Sequence, residues 1–191
     1  FARYEFGPKH VDSLGAFLAV REILDELLRL QHFGLAAVQR IQHMYEGTPW
    51  LFWADTGTSR PIRHNLQRSF LDQLGEVVGG EAVEELYILS PFYDSDGAGL
   101  EGLLQMLRPQ HVTIFIQPDQ VSMNPAAIQQ VLDEHTAHVT VLPFTRGDDN
   151  RYVHAKCYLL VTATRSICLH GSPNLSRVAM LRTCPHGNLE I

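Results

Sequence analysis

Five polar residues near the carboxyl end of the chain have the types and spacing to act on a phosphate group. They are, in order along the chain, His154, Lys156, Ser172, Asn174 and Glu190. Side chains alternate along a strand, so a histidine and a lysine two residues apart share one face. An imidazole can attack phosphorus or protonate a leaving oxygen, while an ammonium and an amide stabilise the phosphoryl oxygens. The set therefore predicts a site that cleaves a phosphodiester.

Each of these residues has a predicted role. His154 is the nucleophile or the general acid, and the residues leave that choice open. Lys156 and Asn174 are predicted to bind the phosphoryl oxygens, and Ser172 to support that pocket. Glu190 is predicted to hold a histidine in the useful tautomer, as neighbouring carboxylates do. This chemistry needs no metal, and no cofactor is predicted.

Each residue also has a plainer interpretation. His154 could be an ordinary half-buried strand histidine, and Lys156 a solvated charge at a strand edge. Ser172 precedes Pro173, a pair that is common at the start of a helix. Glu190 could be a simple edge-strand charge. The order of all five residues within 37 positions favours the catalytic interpretation.

The segments around the candidate site predict an α/β fold. Apolar residues at spacings of three and four predict helices over residues 11–46, interrupted near Gly34, and over 62–79. The following strands and helices alternate along the chain, at Glu85–Ser90, 99–108, Val112–Gln117, 125–136 and Val139–Pro143. A hairpin, a short helix and a closing strand are predicted at Val153–Val161 with Ser166–His170, at 175–181 and at Asn188–Ile191. We expect a mixed, mostly parallel sheet flanked by helices.

This pattern divides the chain into two predicted parts. Residues 1–80 are predicted to be a helical connecting segment, and residues 81–191 the catalytic lobe. A partner helix could also bind to the N-terminal segment, although packing on the chain's own core is favoured.

Composition limits the classes of function. The chain has 191 residues and a net charge of −6, which argues against holding nucleic acid by a broad basic surface. No apolar run reaches the ~18 residues of a membrane span, so no transmembrane segment is expected. The three cysteines lack metal-type spacing and predict reduced thiols in a cytoplasmic protein.

The ordered motifs resemble those of the phospholipase D superfamily. His154-x-Lys156, Gly171-Ser172-x-Asn174 and Asn188-x-Glu190 are similar to its His-x-Lys, Gly-Ser-x-Asn and Asn-x-Glu elements. The resemblance covers residues 81–191 and implies metal-independent phosphodiester cleavage through a phosphohistidine, in a phospholipase D-like lobe. It departs from the family pattern at Val161, which stands where that family has an aspartate.

The resemblance also implies a partner. Family active sites use two His-x-Lys motifs, and this chain has one, so the second must come from a homodimer or from a preceding lobe. On the second alternative, residues 1–80 are the tail of a missing first lobe plus a linker. Nucleic acid is the expected substrate, because the missing aspartate disfavours lipid transfer and the motifs resemble bacterial defence or helicase-associated nuclease lobes. A phospholipid-cleaving enzyme and a non-catalytic phosphate-binding or dimerisation lobe are the alternatives. Phe92 or Tyr93 could stack on a base, line an acyl groove or pack in the loop.

Overall fold

The computed structural model describes residues 11–31, 33–52, 62–144, 151–184 and 186–191. The chain divides into two compact units, Phe1–Leu66 and Gln67–Ile191. This division falls ahead of the boundary near residue 80 that the sequence indicates, because the helix in between packs with the second unit.

The described part of the first unit is mainly helical. It contains α1 (Val11–Arg29), α2 (Leu35–Glu46) and a 3-10 turn at Pro49–Phe52. The predicted interruption is present, since Gly34 is the N-cap of α2. The Tyr45 hydroxyl on α2 donates to the Asp25 carboxylate on α1 at 2.8 Å, which joins the two helices. Among the described helices, none combines the length and hydropathy of a membrane span.

The second unit is built on a five-stranded sheet. Its elements are α3 (Phe70–Val78), β1 (Val83–Leu89), α4 (Ala98–Leu107), β2 (His111–Ile116), α5 (Pro125–Asp133), β3 (His138–Pro143), β4 (Cys157–Thr162), β5 (Ser166–His170) and a π-helical turn at Arg177–Leu181. The strand order is β3-β2-β1-β4-β5. The predicted mixed sheet with flanking helices is therefore confirmed.

The sheet is less parallel than predicted. β1 pairs with β2, and β2 with β3, in parallel, whereas β4 runs antiparallel to both β1 and β5. Helical crossovers α4 and α5 allow the first two pairings. The short hairpin between β4 and β5 requires that these two strands be antiparallel. The sheet therefore has two parallel and two antiparallel pairings.

One face of the sheet forms the core with the helices. Alternating residues on the three central strands are fully buried there: Leu86, Ile88, Val112, Ile114, Tyr158 and Leu160. The helices cover them with apolar side chains that include Leu71, Leu74, Leu100, Leu103, Ile128 and Val131. This packing fixes the strand ends, from which the candidate site residues extend.

Two predicted elements have different bounds in the structure. The helix predicted over 62–79 begins only at Phe70, because the Ser69 hydroxyl caps it by accepting from the backbone N–H of Asp72 at 3.1 Å. The predicted hairpin strand begins at Cys157, because the β1 partner strand ends at Leu89, which pairs with Cys157. Residues 154–156 are therefore in a non-strand segment just before β4.

The predicted closing strand over Asn188–Ile191 is not formed, so that prediction was wrong. β5 ends at His170 and pairs only with β4, so residues 188–191 do not extend the sheet. Ile191 is instead bonded to Ser172, whose N–H donates to the Ile191 carbonyl at 3.1 Å and whose hydroxyl accepts from the Ile191 N–H at 3.0 Å.

Close backbone packing holds α4 against the segment that leads into the π-helical turn. A methyl group added to Gly99 would lie 2.7 Å from the backbone of Ser176 and 2.8 Å from that of Leu175. We expect Gly99→Ala to reduce the free energy of unfolding by about 2 kcal/mol, because backbone atoms cannot move aside. Urea denaturation followed by circular dichroism measures this change.

Gly75→Ala on α3 is the matched control. Its added methyl would meet the flexible end of the Met106 side chain, with the sulfur at 2.8 Å, so the contact can relax. A gain in helix propensity of up to ~1 kcal/mol offsets the remaining cost. Equal losses of stability in the two variants would contradict the close-packing account.

Candidate active site

His154 and Lys156 are in direct contact. The Lys156 Nζ lies 3.0 Å from Nδ1 and 2.9 Å from Nε2 of the His154 ring, and it donates to the His154 carbonyl at 3.1 Å. His154 is exposed, whereas Lys156 is only 5% exposed. The His154 imidazole is therefore accessible to solvent, and the Lys156 ammonium that contacts it is buried.

A second charged group acts on the lysine. Burial lowers the pKa of Lys156, and the negative charge of Glu190 opposes that shift by raising the same pKa. Glu190 is as deeply buried as the lysine, and Asn188 donates to its carboxylate at 3.4 Å. The predicted partner of Glu190 was a histidine, and the structure adds Lys156 as a group whose charge it stabilises.

Ser172 anchors the segment that carries Glu190. Its hydroxyl donates to the Ile191 carbonyl at 3.1 Å and accepts from the Ile191 N–H at 3.0 Å. The preceding residue must be glycine for this approach, because a methyl group on Gly171 would lie 2.7 Å from the same carbonyl. The Ser172 hydroxyl is therefore engaged with backbone in this structure.

Asn174 is linked to the His-x-Lys segment through Tyr158. The Tyr158 hydroxyl, buried two residues after Lys156, donates to the carbonyl of Pro173 at 2.9 Å. The Leu175 N–H on the other side donates to the Ser90 hydroxyl at 3.1 Å. Among the described residues, the buried Oδ1 of Asn174 has no hydrogen-bond partner.

A buried glutamine fixes the segment before His154. The Gln117 side chain donates to the carbonyl of Arg151 and accepts from the N–H of Val153, both at 2.8 Å. These two bonds lie on either side of Tyr152, and they resemble the backbone bonds that a neighbouring strand would make there. Gln117 itself is only 5% exposed.

Ser90 and Gln117 have positioning roles that the sequence patterns did not predict. Both directly follow apolar strands, β1 and β2, and both are buried at the carboxyl ends of those strands. A polar residue ending an apolar parallel strand is the signal that could have found them, since such strand ends are where open α/β sheets place their sites.

Two aromatic rings contact the imidazole. The ring centroids of Phe92 and Tyr152 lie 5.7 Å and 5.6 Å from that of His154. Tyr93, the other aromatic considered in that loop, is buried and packs in the core. The sequence left open whether Phe92 or Tyr93 lies near the site, and the structure brings Phe92 there.

The Lys156 Nζ lies within 3.0 Å of both ring nitrogens of His154, so it contacts the ring without pairing with one nitrogen alone. A neutral imidazole can act as a nucleophile or a base. Among the described residues, no group of three His, Cys, Asp or Glu side chains could hold a metal ion.

The chain has a structural likeness to part of a known protein. No family model matches the chain. No curated protein matches it either. Among solved structures, it is similar to a crystal structure of a mutant of yeast tyrosyl-DNA phosphodiesterase, with a TM-score of 0.39 and 16% sequence identity. The likeness covers 61% of this chain and 29% of that one, so the matched part is less than a third of the yeast protein.

The electrostatic pairing can be tested directly, because the chain has only two lysines, Lys9 and Lys156. We expect the Lys156 amine to titrate below the usual value of about 10.4, since burial disfavours its charged form. Glu190→Gln removes the carboxylate that raises this pKa, so the midpoint should fall further. NMR of lysine-labelled protein across a pH series measures both midpoints.

Lys9→Arg serves as the control for this titration, since it removes one of the two signals and so assigns the other to Lys156. A Lys156 midpoint at the usual lysine value, or one that Glu190→Gln leaves unmoved or raises, would contradict the pairing of Lys156 with Glu190.

Proposed function

We propose that this chain is one lobe of a metal-independent phosphodiesterase of the phospholipase D type, acting on nucleic acid through a phosphohistidine intermediate. The observation that carries the proposal is the contact between the exposed imidazole of His154 and the buried ammonium of Lys156. The pair lies beside the carboxyl end of β1, where Leu89 pairs with Cys157. Ligands of open α/β sheets bind at that edge.

Phosphate binding converts this contact into a reactive arrangement. A phosphoryl oxygen is a stronger acceptor for the Lys156 ammonium than a neutral ring nitrogen, because it carries negative charge. The same ammonium then stabilises the negative charge that develops on the phosphoryl oxygens.

The reaction proceeds in two displacements. A nitrogen of one histidine bonds to phosphorus as the bond to the leaving oxygen breaks, and the second histidine protonates that oxygen. Water, deprotonated by the second histidine, then attacks phosphorus and releases the first. His154 supplies one of these two imidazoles, and a second His-x-Lys copy, from a homodimer or another lobe, supplies the other.

The remaining predicted residues have supporting roles. The amide of Asn174 is a donor for a phosphoryl oxygen, held in place through its neighbours by Tyr158 and Ser90. Ser172 holds the segment that carries Glu190 by its two bonds to Ile191. The negative charge of Glu190 raises the pKa of the buried Lys156 and so favours its charged form, in addition to the predicted orientation of a histidine.

Two alternatives differ in what they require of the site. A phospholipid-cleaving enzyme would use the same phosphate chemistry, with the exposed aromatic rings contacting acyl chains. A non-catalytic lobe that binds phosphate or dimerises would keep Lys156 and Asn174 but would not need a free imidazole. The exposure of His154 leaves its imidazole accessible to a substrate, which catalysis requires and phosphate binding alone does not.

The central variant is His154→Ala. We expect it to lower kcat/KM for a single-stranded oligonucleotide by at least about 10³-fold, because a group that reacts or transfers the proton is lost. Activity of the unaltered protein should persist in the presence of a chelator. Gel analysis of an end-labelled oligonucleotide measures the cleavage rate.

His138→Ala is the matched control. This exposed histidine begins β3 and stacks on His111, at the opposite end of the parallel strands. The His138→Ala variant should retain full activity.

Hydrolysis of phospholipid vesicles but not of oligonucleotides would favour the lipid enzyme. Oligonucleotide binding without hydrolysis would favour the non-catalytic lobe, and activity restored only by a divalent ion would reject the metal-independent mechanism.

A further inference from the structure

Two large aromatic side chains next to His154 remain exposed. Phe92 is 38% exposed and Tyr152 is 43% exposed, although each ring lies within 6 Å of the imidazole. The two residues come from separate segments, the loop after β1 and the stretch before β4. Exposed aromatic surface beside a reactive group is typical of a surface that binds a planar ligand.

Hydrogen bonds hold the backbone segments that carry the two rings. The Ser90 hydroxyl donates to the carbonyl of Phe92 at 3.1 Å, and the neighbouring Pro91 carbonyl accepts from the Ser122 N–H at 2.8 Å. The Gln117 amide bonds to the backbone on each side of Tyr152. The backbone that carries both rings is therefore fixed while the rings stay partly exposed, which lowers the ordering cost of binding.

The charge of the chain restricts how it can hold a polynucleotide. With a net charge of −6, neutralisation of many phosphates cannot supply most of the affinity. Stacking of bases on aromatic rings is the other main source of affinity for single strands, and it tolerates any sequence because every base has a flat face. In a duplex, the bases are already stacked and paired.

We propose that Phe92 and Tyr152 form a stacking site for an unpaired base next to the phosphate held by His154 and Lys156. The substrate class is thus single-stranded nucleic acid with an accessible base beside the cleaved bond. This inference rests on the proposed phosphodiesterase function and specifies its substrate.

The test compares binding of a fluorescein-labelled single-stranded oligonucleotide with binding of an abasic oligonucleotide of equal length. Fluorescence anisotropy is measured in a His154→Asn background, which prevents turnover. Phe92→Leu and Tyr152→Leu should each weaken binding of the normal oligonucleotide about tenfold and leave abasic binding unchanged. Tyr152→Phe keeps the ring and should bind normally. Val141→Ala, at an exposed apolar residue on β3, is the control.

Several outcomes would overturn the stacking site. These are equal affinity for the normal and abasic strands, no oligonucleotide binding, or Leu variants that bind like their background. Hydrolysis by protein with His154 intact keeps the two proposals separate. Cleavage of both strands with one KM rejects the stacking site and retains the phosphodiesterase. Base-dependent binding without any cleavage retains the stacking site and rejects the phosphodiesterase.

Discussion

A buried ammonium in contact with an exposed imidazole is the interaction on which this site depends. Burying a charge is costly unless it is paired and hydrogen-bonded, and Lys156 meets that condition through His154 and the nearby carboxylate of Glu190. The surrounding structure serves this need. Gly171 allows the Ile191 backbone to approach, and Ser172 fastens it, so that Glu190 is carried to the lysine.

The carboxyl ends of two parallel strands organise the rest of the site. Ser90 after β1 binds the segment next to Asn174, and Gln117 after β2 binds the segment before His154. Both segments lack regular secondary structure at the contact, so buried side chains perform the positioning that strand pairing performs elsewhere. The rigid sheet can thereby fix the geometry of an exposed imidazole and its aromatic neighbours.

Much of this arrangement could be predicted from local sequence patterns. Alternating apolar runs predicted β1 and β2. The His-x-Lys spacing predicted that His154 and Lys156 lie together, although the strand expected to carry them begins only at Cys157. The start of β4, the absence of a closing strand and the bonds of Gln117 depend on which distant segments meet. Such pairings are set by tertiary packing. Glu190 illustrates the difference. Its position in the motif suggested a histidine partner, whereas in the folded chain its negative charge raises the pKa of the buried Lys156.

A crystal structure of the protein with orthovanadate, which mimics a phosphoryl group in transfer, tests the proposed phosphate site. We expect one vanadate within about 3 Å of the His154 ring, the Lys156 ammonium and the Asn174 amide together, because that is the reach of a hydrogen bond. A vanadate bound elsewhere while these three groups remain empty, or one that contacts Lys156 with the His154 ring turned away, would contradict it.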